Sequence, residues 1–283
     1  MPAAVETAQL KVAAPHPALV DHVQSLHGYD YRPPAGSIHH GLPSRSLTMV
    51  IALEDPIELG WLGAVDNSRA YQMAVSGLHT APAAILERGR PQRGIELELT
   101  TLGARELLGL PASELSTTMI HLDDLLGPLA PELYDDVAAA PGWQARFAVL
   151  NRHLLRLVRR DAGSRAVPSP ELVWGWRRLS ASDGAVRVRA VADEVGWSRR
   201  HFSTMFRAEF GIGPKQAARI MRFERSKQLV AADQVTGLAE VAVECGYADQ
   251  AHLTREWREL AGYSPRQWRR EELPFLQDEV PLG

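Results

Sequence analysis

The chain has 283 residues, 45% of them apolar and 23% charged, a composition that excludes a disordered or fibrous protein and suffices for about two domains of ~100–200 residues. A single cysteine, Cys245, excludes an intrachain disulfide and a thiolate cage for zinc or an iron–sulfur cluster, and no cofactor or metal is expected. The net charge of −3 hides an asymmetry: Arg177 to Glu272 holds 17 Lys+Arg against 13 Asp+Glu, a balance of +4, which leaves 14 against 21, or −7, elsewhere. A basic C-terminal third on an acidic remainder is the footprint of a nucleic-acid module joined to a domain with another task.

No run reaches the ~20 apolar residues of a membrane span, and Met1 to Lys11 lacks the basic start and apolar core of an export signal. The expectation is a cytoplasmic protein with no membrane partner.

Leu47 to Leu53 is apolar and β-branched, Tyr71 to Leu78 reads as a further strand, and Ile95 to Leu99 alternates with period two. Turn-forming stretches separate them, such as Pro33 to Gly36 and Gly89 to Pro91, so residues 20–100 are expected to be mainly β. After Leu99 helices dominate. A short one is expected from Ala104, ended by Gly109 and Pro111, and another from Asp123. Trp143, Phe147, Leu150, Leu154 and Leu157 recur at spacings of 4, 3, 4 and 3, an apolar seam on a helix of about 19 residues. That seam packs on its own domain or pairs with a second copy of the chain; as a dimer contact it carries the expected homodimer. Two spaced prolines, Pro168 and Pro170, place a linker at residues 163–170.

Beyond the linker the sequence repeats. Val191, Ala192 and Gly196 match Val241, Ala242 and Gly246 at an offset of 50, and His201, Phe206, Gly211 and Pro214 match His252, Trp257, Gly262 and Pro265 at 51. Each copy reads as a helix, a turn opened by glycine, and a second helix capped by Ser198 or Asp249, the pattern of a helix-turn-helix. Phe202, Met205, Phe206 and Phe210, with Leu253, Trp257 and Leu260 in the second copy, form the inward stripe. The opposite stripes hold Arg200, Ser203, Thr204 and Arg207, and Ala251, Thr254, Arg255 and Arg258. Arginine bridges O6 and N7 of guanine, threonine bonds or touches a thymine methyl, and alanine permits close approach, so both stripes suit a major groove.

Residues 172–270 resemble the DNA-binding domain of AraC-type bacterial transcriptional regulators, most specifically over Glu240 to Arg270. The resemblance implies a seven-helix domain in which Pro214 to Ala231 is a strut between two recognition helices, and in which the positions of Arg200, Ser203, Thr204, Gln250, Ala251 and Arg255 face bases. Arg199, Thr254, Arg207 and Arg258 complete the expected DNA-binding set. Trp257 stands where the family usually has phenylalanine. On the strut, Arg222, Arg225 and Lys227 lie beside Ile220, Met221 and Phe223. Segments 29–36, 40–48 and 103–111 resemble sensing domains of actinobacterial members whose ligands are unassigned.

Residues that could support other functions argue against them. His39 and His40 are adjacent, so on a strand they point to opposite faces and cannot chelate together. Cys245 falls where a small apolar residue packs. There is no nucleophile elbow, P-loop or paired-histidine motif, so the chain is not expected to be an enzyme. The expected fold is α+β: a mainly β domain with flanking helices at 1–162, the linker, an all-α double helix-turn-helix at 171–273, and a tail at 274–283. The expected function is a sequence-specific transcriptional regulator controlled by a small-molecule effector in the N-terminal domain. The alternative is a regulator whose N-terminal domain only dimerises or binds a protein. Its partners are then double-stranded DNA, RNA polymerase, the effector and a second copy of the chain.

Overall fold

The structure, a computed structural model, describes residues 6–160, 168–232 and 237–271. Its first half is built from β1 (Glu6–Ala13), β2 (Val23–Arg32), β3 (Ile38–Gly41), β4 (Leu47–Ala52), β5 (Ile57–Trp61), β6 (Arg69–Tyr71), β7 (Met73–Ser76), β8 (Ala83–Leu86) and β9 (Gln92–Leu99). Then come α1 (Thr101–Leu108), α2 (Ala112–Leu115), β10 (Met119–His121), α3 (Leu122–Leu126), α4 (Leu129–Ala139) and α5 (Gly142–Arg160). One sheet runs β1-β2-β9-β4-β7-β10 and the other β3-β8-β5-β6, all antiparallel.

Alternation along the large sheet gives it two dry faces with different chemistry. Ile95, Leu97 and Leu99 join Leu47, Met49, Ile51, Met73 and Val75 in the core against the helices. Glu96 and Glu98, on the same strand, face the opposite way, toward the second sheet. The stretch Tyr71 to Leu78 is not one strand as predicted. β6 ends at Tyr71 in the small sheet and β7 begins at Met73 in the large one. Gln72 makes the crossing, its amide donating to the Ala52 carbonyl and to Tyr134 Oη at 3.0 Å.

The seam on α5 is satisfied within the chain, which corrects its assignment as a dimer contact. Phe147, Leu150, Leu154 and Leu157 are buried, Leu150 and Leu154 completely, in one core with Leu107 of α1 and Leu133 and Val137 of α4. Trp143 and Phe147 lie on Gly28 of β2, where a Cβ would collide with the indole. Each of the four buried side chains contributes about 1.5–3 kcal/mol by leaving water, and only the half-buried Trp143 keeps an exposed part.

Of the expected linker, residues 163–167 lie outside the described residues; Ser169 caps the next helix and Pro170 is its first residue, where a missing N–H costs nothing. The expected tail also lies outside them. The second half comprises α6 (Pro170–Ala181), α7 (Val188–Glu194), α8 (Arg199–Phe210), α9 (Pro214–Ala231), α10 (Leu238–Glu244), α11 (Gln250–Ala261) and α12 (Pro265–Glu271).

Candidate nucleic-acid interface

α7–α8 and α10–α11 are the two helix-turn-helix units. Ser198 Oγ accepts from His201 N at 3.2 Å, and Asp249 Oδ1 from His252 N at 2.6 Å, so both second helices start where their caps predict. Gly196 and Gly246 take φ of +74° and +72°, the left-handed geometry each turn needs. Arg199, Arg200, Thr204 and Arg207 on α8 are exposed, as are Gln250, Ala251, Arg255 and Arg258 on α11. Ser203 and Thr254 are half-buried, and each hydroxyl donates to the carbonyl four residues back, Arg199 and Gln250, at 2.8 Å. Their protons serve the helix, leaving a lone pair or methyl for a base.

α9 is bound to the second unit by its charges. Arg219 pairs with Glu256 at 2.6 Å and with Glu259, and Arg225 with Glu244 at 2.6 Å. The Arg222 guanidinium lies 5.4 Å from the Tyr247 ring centre. Of the basic strut residues noted in the sequence, Arg222 and Arg225 therefore serve protein contacts. Trp257 is fully buried, and its indole N–H donates to Ser226 Oγ at 2.8 Å; that hydroxyl donates to the Phe223 carbonyl at 2.7 Å. Ser226 thus satisfies the polar atom that a tryptophan brings where the AraC-type pattern has phenylalanine.

The β domain grips both units. Arg105 of α1 forms a two-pronged pair with Glu209 of α8, at 3.0 and 2.7 Å. Arg45 pairs with Glu224 of α9 at 2.6 Å and with Asp183 at 3.2 Å. Ser113 and Ser116 abut Gly211 at the end of α8, and Leu62 and His40 abut Gly262 at the end of α11. His40 Nδ1 lies 2.8 Å from the Ala261 carbonyl, and its ring stacks on Tyr263 at 4.1 Å. These contacts fall at the ends of the recognition helices and leave their outer stripes uncovered.

A cavity of about 490 Å³ lies between the two sheets, within the range of small-molecule sites. Tyr29, Val50, Ala74, Glu96 and Glu98 line it from the large sheet, Leu59 and Ile85 from the small one. Lys227 of α9 and Trp268 and Glu271 of α12 line it from the helical domain. Burial raises the Glu87 and Glu96 carboxyls above the ordinary carboxylate range, with the neighbouring Glu98 charge adding to the effect at Glu96. Sequence reasoning missed this site. Its signal was the alternation at Ile95 to Leu99, which puts two glutamates on the inner face of a central strand.

His39 and His40 diverge. Ring charge on His39 eases Glu87 and Glu96, whereas His40 turns to Ala261. Cys245 is buried, its thiol pushed up to about 11 chiefly by burial, which suits packing rather than reactivity. Glu132, Asp136 and His153 gather with metal-ligand spacing. Both imidazole nitrogens are engaged, Nε2 with Asp136 at 2.8 Å and Nδ1 with Arg156 at 2.6 Å, and Arg156 also pairs with Glu132. The guanidinium already supplies the positive charge that pairs with this cluster. Among the described residues, no helix is long and apolar enough to cross a membrane.

Two capped helix-turn-helix units on one strut, with uncovered arginine stripes, define a DNA-binding domain. Residues 191–271 match a family described as a helix-turn-helix domain. The F1 operon positive regulatory protein of Yersinia pestis is 31% identical over 88 residues, which are 31% of this chain and 28% of that protein. ToxT from Vibrio cholerae O395 is similar over 92% of this chain and 100% of its own, with a TM-score of 0.54 and 10% identity. Wild-type ToxT of Vibrio cholerae strain SCE256, solved with an unsaturated fatty acid bound, covers 90% of this chain and 96% of its own, with a TM-score of 0.53 and 10% identity. Residues 191–271 are a helix-turn-helix domain, and the chain shares the two-domain α+β fold of ToxT.

Proposed function

We propose that the chain is a sequence-specific transcriptional regulator whose DNA affinity is set by a small molecule held between the two sheets. The observation that carries the reading is the shared cavity wall: Lys227, Trp268 and Glu271 of the DNA-binding domain line the same space as Tyr29 and Glu96 of the β domain. An occupant touches both domains at once, and a ligand shifts an equilibrium only through contacts that differ between states. The ligand named with ToxT, an unsaturated fatty acid, supports small-molecule control on this fold. The cavity favours this reading over an N-terminal domain that only dimerises or binds a protein. In this reading double-stranded DNA and RNA polymerase are the macromolecular partners, and a homodimer uses a surface other than the α5 seam.

The test is selection of bound sequences from a random duplex pool by the full chain, followed by anisotropy titration across salt. A short consensus with two groove segments is expected. Affinity should fall by nearly one logarithmic unit per tenfold salt for each phosphate neutralised. Enrichment of no sequence would leave a DNA-binding protein without a regulator's specificity.

A further inference from the structure

Carboxyl groups converge on the cavity from three elements. Glu96 sits on the central strand β9, paired in register with His27 of β2 and Val50 of β4. Glu98 lies two residues along, and Glu87 faces both from the far end of β8, accepting from Tyr31 Oη at 3.0 Å. Among the described lining residues are four carboxylates, of which Glu271 pairs with Arg270 at 2.6 Å, one ammonium, Lys227, and the imidazoles of His27, His39, His40 and His79, His39 being the one that acts on Glu87 and Glu96. Burial lowers the pKa of His27 and of His79, which keeps both neutral, and His79 Nδ1 is engaged by the Ala81 carbonyl at 2.6 Å.

Two further groups lack partners. Tyr29 Oη and Ser76 Oγ are buried lining atoms without a hydrogen bond. The Tyr29 hydroxyl lies over Gly94, where a Cβ would stand 2.3 Å from it, so the glycine exists to let the ring lie across the sheet. Its neighbour Tyr31 is 5.8 Å away between ring centres, and the two tilted rings offer π faces beside the glutamates. The rest of the wall is aliphatic, from Val50, Ile57, Leu59, Ala74 and Ile85.

A buried carboxylate is stable only when paired, and a desolvated cation is recognised by carboxylates and aromatic faces together. Resting on the reading of this cavity as the effector site, we propose that its ligand is an organic cation, a protonated amine on an apolar body. A carboxylate ligand, the class named with ToxT, would bring one more acidic group beside Glu87, Glu96 and Glu98. Lys227 of α9 lines the same cavity and its charge acts on Glu96, so a bound amine competes with it and weakens the attraction between α9 and the sheets.

The test uses the full chain and three probes of equal length at neutral pH: octan-1-amine, octan-1-ol and octanoate, followed by calorimetry and thermal shift. The amine should bind at least about tenfold more tightly than the other two, as a desolvated charge pair requires. Glu96→Gln and Glu87→Gln should each erase that preference, and Lys227→Met should strengthen amine binding by removing the competitor. Tightest binding by octanoate, lost in Lys227→Met, overturns the cation and leaves the effector cavity standing; equal binding of alcohol and amine does the same. An amine preference that survives both glutamine variants places the amine elsewhere and overturns the proposal. No binding by any probe removes the effector reading and this inference with it.

Discussion

The two helix-turn-helix copies share a pattern but not a core. In the first, Phe202, Phe206 and Phe210 continue directly into the core of the β domain, and Trp176 stacks on Phe206 at 5.7 Å. In the second, Trp257, Phe223 and Trp268 form a separate cluster, with ring centres 5.0 and 5.4 Å apart. The first copy is thus an extension of the β domain. The second is attached through His40, Leu62 and the cavity, whose helical wall comes from α9 and α12. Near-identical sequence patterns are anchored in different ways, and the cavity lies beside the second.

The strongest way to break the comparison is to cut the shared core. Leu154→Glu buries an unpaired charge and should cost more than about 4 kcal/mol, unfolding the β domain and the first copy together. Circular dichroism with sedimentation checks this; a folded monomer would restore the dimer reading of α5. Next, Arg200→Ala and Arg255→Ala should each lose about 1–3 kcal/mol on the selected operator and relax specificity at a few base pairs, with little change in melting temperature. Cavity occupancy should then alter the contribution of Arg255 more than that of Arg200, read by anisotropy with and without ligand.

A smaller effect sharpens the boundary between the cores. Ser226→Ala leaves the Trp257 N–H buried without an acceptor and should cost about 1–2 kcal/mol. Hydrogen exchange should rise in α9 to α12 and stay unchanged in α8. The smallest is electrostatic. Because the Glu96 carboxyl is held above its ordinary range by burial, its stability contribution is complete below the ordinary carboxylate pKa and is lost as pH rises through the raised value. Ligand-free Glu96→Gln should therefore match the parent in acid and melt modestly higher at neutral pH; a lower melting temperature at neutral pH would show that the carboxylate is already well paired.

How much of this was legible beforehand depends on where each residue's partner lies in the sequence. The helical domain repeats itself, so Ser198 and Asp249, Gly196 and Gly246, and the outer stripes could be read from local spacing and chemistry. The α5 seam was legible as a seam, but spacing does not say what covers it; α1 and α4 cover most of it, and Trp143 and Phe147 lie on β2, at Gly28, more than a hundred residues away. The cavity was illegible for the same reason. Glu96 and Glu98 look like the wet side of an ordinary amphipathic strand until β8 and β5 are laid over them. Lys227 likewise reads as one more basic residue on a DNA-facing strut, and only the packing of α9 against the sheets turns it inward.

The paired grip at Gly211 and Gly262 has a mechanical meaning for the duplex. With the far end of each recognition helix braced on the same body, the distance and angle between the readers act as a gauge. One base pair inserted between the two recognised segments rotates the second by about 35° around the double helix. A protein braced at both ends transfers that mismatch to the DNA as torsion, so operators are graded by the flexibility of the step between their contacted segments as well as by the bases touched.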